Sequence, residues 1–169
     1  MNNLVINNAI RFIGLLFLQV FILNHLNIFG YINPMVYIAW VFLYPVKKTR
    51  SLFLVLSFLL GISIDFFSDS GGVNAFAITF IAYFRLPILM AVLRKSDLDY
   101  TQFNLKMLSV NRIVLFISIL TIIHHFIVFS LEYFSFREFL NIITNTVLTS
   151  IFTILISFLG ITLFTKKNR

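Results

Sequence analysis

Long apolar runs, interrupted by short polar or glycine-containing stretches, divide the chain into six segments at about residues 12–29, 35–46, 51–67, 73–93, 113–130 and 140–164. Runs of this kind predict helices that cross a bilayer, because about 20 residues rising about 1.5 Å each span the hydrocarbon. The second run is the shortest and stops at the basic cluster Lys47, Lys48 and Arg50. Gly30 and Asn33-Pro34 separate it from the first, and the turn Ser68-Asp69-Ser70-Gly71-Gly72 leads directly from the third run into the fourth. A polar stretch, 94–112, precedes the fifth; within it Ser96 and Asp99 stand at capping-box spacing and predict a short interfacial helix.

Composition agrees with that pattern. With 60% hydrophobic and only 11% charged residues, the chain lacks the polar surface that a soluble domain of 169 residues needs. The expectation is an all-α integral membrane protein, a single six-transmembrane-helix bundle covering residues 1–169. Reading the connections alternately as inside and outside places Arg11, Lys47, Lys48, Arg50, Arg94, Lys95, Lys106, Arg112, Lys166, Lys167 and Arg169 on one side. Arg137 alone falls on the other, so both termini are expected in the cytoplasm. The same alternation accounts for the net charge of +7 without a nucleic-acid partner, since the basic residues sit at the ends of apolar runs. No small-residue cleavage site follows the first run, which is therefore expected to be retained. The chain has no cysteine, which excludes disulfides, thiolate metal sites and a cysteine nucleophile.

Lipid tails give apolar helices little reason to associate, so small and polar residues mark the packing faces. Ser57, Gly61 and Asp65 form such a face on the third segment; Ala75, Thr79, Ala82 and Arg85 form one on the fourth. The sixth carries Thr146, Ser150, Thr153, Ser157 and Gly160, with Asn145 beside its start. These stripes predict that the third, fourth and sixth helices are central. Ionisable residues within the runs are the candidate functional groups, because each costs about 2.5 to 3.5 kcal/mol at mid-bilayer and normally faces protein or water. Counting from the cytoplasmic helix ends, Asp65 and His25 lie about 21 Å up, His124 and His125 about 17 Å, and Arg85 about 12 Å. Asp65 is thus in reach of a histidine on the first or fifth helix, and Arg85 is placed to snorkel or to bind a backbone carbonyl beside Pro87. A carboxylate at the C-terminal end of its own helix is disfavoured by the helix dipole, so Asp65 is expected to be neutral or paired. His125 and Glu132, seven residues apart, share a face of the fifth helix, whereas adjacent His124 and His125 point about 100 degrees apart and make a poor chelating pair. No metal site, cofactor or complete catalytic constellation is expected.

The order of features resembles the rod shape-determining protein MreD family over nearly the whole chain. The shared features are Gln19 in the first helix, Asn33-Pro34 opening the second, the stretch GISIDFFSDSGGVNAF at 61–76, and Glu132 at the end of the fifth. Within that stretch Gly61, Asp65, Gly72 and Ala75 occupy the family's glycine, aspartate, turn-glycine and small-residue positions. The resemblance implies a non-enzymatic subunit of the bacterial cell-elongation machinery in the inner membrane. It would bind an MreC-type single-span coiled-coil protein, near the actin-like MreB filament and the wall-synthesis glycosyltransferase and transpeptidase. It also implies a helical core similar to the substrate-binding subunits of energy-coupling-factor transporters, so a vitamin-type carrier is the alternative. Two roles follow for Asp65: it ends its helix by bonding to a neighbour, or with Asn74 and Glu132 it forms a polar surface for a partner segment.

Overall fold

In the computed structural model, which describes residues 2–30, 32–46, 50–94 and 108–164, all regular elements of those residues are helical. Helix α1 (Asn2–Phe17) continues through a wide π turn at Leu18–Ile22 and a 3-10 turn at Leu23–His25. A 3-10 turn at Val36–Ile38 opens into the five-residue α2 (Ala39–Leu43). Then come α3 (Ser51–Ser68), α4 (Val73–Leu93), α5 (Val110–Tyr133), a 3-10 turn at Phe136–Glu138 and α6 (Phe139–Phe164). Among the described residues, five helices are long and apolar enough to cross a membrane, so this is a multi-pass membrane bundle. The start of α1 lies ten residues before the apolar run at 12–29, because asparagines cost a helix only a fraction of a kcal/mol and nothing before Arg11 breaks it. The expected interfacial helix near Ser96, the Lys47-Lys48 pair and the C-terminal tail lie outside the described residues.

The turn between α3 and α4 takes the conformation its glycines allow. Asp69 ends α3 in the left-handed region, at φ 51°, and Gly71 and Gly72 follow at φ 65° and 97°. The chain therefore reverses in four residues and lays α4 along α3, the most extensive helix pair in the molecule. Helix α5 packs on the other side of α4, and α6 on α5. Among the long helices the central pair is thus α4 and α5: the fourth is central as expected, whereas the third and sixth flank that pair. Helix α5 earns that place with a continuous inner face, Phe116, Ile117, Leu120, Thr121, His124, His125 and Val128. The α6 stripe is buried as expected at Thr146, Ser150, Thr153 and Ser157.

The second segment departs most from expectation. Instead of one helix over 35–46 it has three residues of 3-10 turn and five of α-helix, which together rise only about 12–14 Å. It is also the most deeply buried part of the chain: Tyr37, Ile38, Trp40, Val41 and Phe42 are all 0–1% exposed. Side-chain contacts reveal its course. Gln19 holds Pro34 and Val36, Arg11 reaches Leu43, and Asn24 on the first helix meets Ser68 at the end of α3. Residues 34–43 therefore run back alongside α1, from the level where α1 and α3 end toward the level where α3 begins. A non-helical backbone is tolerated at such depth only where protein surrounds it and satisfies its polar groups. Both conditions are met here, so a run too short to be a lipid-facing helix is well suited to this central position.

Candidate functional site

The site is a chain of buried polar groups that begins at Asp65. This residue lies in the last turn of α3, and its carboxylate reaches across to the first turn of α4. Its Oδ1 accepts from Asn74 N at 2.9 Å, from Asn74 Nδ2 at 3.0 Å and from Ser70 Oγ, while Oδ2 accepts from Ala75 N at 2.7 Å. Asn74 N and Ala75 N are among the N–H groups that a helix leaves without an internal acceptor. The α4 N-cap position is Gly72, which has no side chain to supply one. Asp65 therefore serves as a cap donated by the preceding helix. The carboxylate that opposes the dipole of α3 lies at the favourable end of α4, where such an interaction contributes about 0.3–1 kcal/mol and up to ~2 when partly buried. Asp65 is paired, as expected, but with the backbone of the next helix and not with a histidine.

Gly61, one turn earlier, makes this reach possible. It is buried against α4, and a Cβ added there would overlap Ala75 Cα and stand 2.7 Å from Ala75 N and 2.8 Å from Ile78 Cγ2. The two helices approach until backbone meets backbone, which brings the α4 amides within range of a side chain as short as aspartate.

From Asn74 the chain of hydrogen bonds continues inward. Nδ2 of Asn74 is taken up by Asp65 and by Ser70 Oγ at 2.9 Å, so its Oδ1 is the acceptor for Tyr37 Oη at 2.7 Å. Tyr37 Oη lies 2.9 Å from His124 Nε2. Because the tyrosine proton is directed to Asn74, the histidine must donate from Nε2, which assigns its tautomer from the network. Nδ1 of His124 has no partner among the described residues. Asp65, Asn74, Tyr37 and His124 are all at most 6% exposed, so the chain joins α3, α4, the second segment and α5 through the interior.

Four further side chains hold the second segment at its ends. Gln19 Oε1 accepts from Val36 N at 2.8 Å and Tyr37 N at 3.3 Å, and Nε2 donates to Pro34 O at 3.1 Å and Asn24 Oδ1 at 2.8 Å. The π turn places that side chain on the inner surface, a use of π turns that recurs at functional positions. Thr153 on α6 accepts from Met35 N at 3.1 Å and donates to His125 Nε2 at 3.1 Å, since His125 Nδ1 gives its proton to Thr121 O. At the other end Arg85 Nη2 donates to Phe42 O and Tyr44 O, Arg11 donates to Leu43 O at 3.4 Å, and the Arg85 guanidinium lies 5.1 Å over the Phe53 ring. These cations meet the carbonyls that end α2.

Of the residues expected to form the site, Gly61, Asp65, Gly72 and Asn74 come together at the α3–α4 junction. Arg85 binds backbone carbonyls, as expected, but they belong to the second segment and not to its own helix beside Pro87. His125 is fully buried, whereas Glu132 is exposed at the end of α5, beyond the packed face. Glu132 therefore does not join Asp65 and Asn74, whose buried positions also correct the expectation of a polar surface. His25 is exposed, and the histidine reached from Asp65 is His124, through two intermediaries. Sequence reasoning missed Tyr37. Its only signal was a hydroxyl in the middle of a run that is otherwise apolar. Comparison of the chain with protein-family models, with curated proteins and with solved structures finds no match.

Proposed function

We propose that this chain is a non-enzymatic subunit of the bacterial cell-elongation machinery, of the kind that the MreD resemblance implies. In this reading it crosses the cytoplasmic membrane six times, with the buried second segment as one crossing and both termini inside. It binds an MreC-type single-span coiled-coil protein and helps to organise or regulate peptidoglycan synthesis beside the actin-like filament and the wall-building enzymes. The observation that carries the reading is the use made of Asp65. All four donors to its carboxylate come from the turn and helix that follow, so the acid joins two helices instead of being offered to a reactant or a solute. Residues 34–43 run back alongside α1 for part of its length, the direction that a sixth crossing requires.

The test is to tag the C-terminus, extract the protein from its native membrane in mild detergent, and identify what co-purifies. Recovery of a single-span coiled-coil protein with wall-synthesis enzymes is the expected result. Recovery of paired ATPases with a large coupling membrane protein would overturn it in favour of a vitamin-type carrier.

A further inference from the structure

A cleft opens at the N-terminal end of α3, lined by Tyr44, Pro45, Val46, Arg50, Phe53 and Arg85, among others. Three sources of positive potential converge on it. Arg50 is exposed at its mouth. Helix α3 begins immediately afterwards with no side-chain cap from Arg50, and its first bond is Leu54 N to Arg50 O, so the amides of Ser51, Leu52 and Phe53 have no helical acceptor among the described residues. Arg85 forms the inner wall, 4% exposed, and its buried Nε meets no acceptor among the described residues. Among the described residues the acceptors that Arg85 meets are two neutral carbonyls, so its charge has no anionic counterpart there. A buried guanidinium beside an uncapped helix start is an arrangement that favours an anion.

We propose that this cleft binds the phosphate of an anionic phospholipid headgroup. The cleft has room for about one water-sized group, about 20 Å³, so a single phosphate oxygen enters while the rest of the headgroup stays at the mouth beside Arg50. Phe53, Ala82, Leu86 and Leu89 supply an apolar wall suited to the first methylenes of a lipid and not to a free, fully hydrated ion. The inference is independent of the elongation reading.

The test uses the full chain in nanodiscs of phosphatidylcholine doped with phosphatidylglycerol, with native mass spectrometry to count the lipids retained on the protein after the disc is removed. One phosphatidylglycerol should remain on the wild type. Arg50→Gln should weaken its retention about fivefold, the effect of one cation near the surface. Arg50→Lys should restore most of it, and Arg112→Gln, an exposed cation on α5, should leave it unchanged. Equal losses for Arg50→Gln and Arg112→Gln would mean unspecific attraction and overturn the proposal. So would retention of inorganic phosphate at millimolar concentration without retention of the lipid.

Discussion

Gly61 and Ala75 meet where α3 and α4 lie closest, with Ala75 Cα and N occupying the space that a side chain on Gly61 would need. Because the obstruction is backbone, it cannot be relieved by trimming the opposite side chain. Gly61→Ala should destabilise the bundle by about 1–3 kcal/mol, the usual cost of overpacking. Gly61→Ala with Ala75→Gly should recover little of it. Thermal unfolding in detergent measures both, and full recovery in the double variant would show that the helices are held apart by Cβ contact instead.

Asp65→Ala removes the acceptor for two α4 amides, Asn74 Nδ2 and Ser70 Oγ together. A single hydrogen bond to a charged group contributes about 1.5–3 kcal/mol, so with four donors left without their acceptor a loss of at least about 3 kcal/mol is expected. Asp65→Asn keeps one acceptor oxygen and should lose about half as much. Amide hydrogen exchange should rise first at Asn74 and Ala75. If exchange there stays at the wild-type rate in Asp65→Ala, the cap is not what orders the start of α4.

Tyr37→Phe deletes the one oxygen that links Asn74 to His124 and leaves Asn74 Oδ1 and His124 Nε2 buried without that partner. The expected cost is about 1–3 kcal/mol. A Tyr37→Phe, His124→Leu double variant should cost less than the sum of the single changes, because residues in one network couple by about 0.5–3 kcal/mol. Additive losses would place the two side chains in separate environments.

Arg85→Met should loosen the end of the second segment specifically, since its guanidinium serves the carbonyls of Phe42 and Tyr44. Exchange at the amides of residues 42–44 and 46 should increase at least about tenfold while the middle of α5 remains protected. Arg11→Met, which removes a single 3.4 Å contact to Leu43, should have a much smaller effect. Equal effects from the two variants would assign the anchoring to general positive charge.

What could be read directly from the chain was whatever depends on local composition. Apolar length sets the existence of the five long helices, and α4 begins and ends at the expected residues because a glycine pair and a basic stretch bound it. Gly61, Asp65 and Arg85 also stood out, since a glycine or a charge inside a lipid-soluble run is conspicuous by itself. Their partners did not, because a partner depends on how far one helix slides along another, and hydropathy carries no such register. Asp65 bonds to the next helix's amides, Arg85 to carbonyls some forty residues earlier, and Tyr37 to a histidine eighty-seven residues away. The second segment is the clearest case. In sequence it is a weak, short helix at the margin of detection; in the bundle it is the core. Its backbone polar groups are satisfied by Gln19, Thr153, Arg11 and Arg85, which only tertiary packing brings to its two ends.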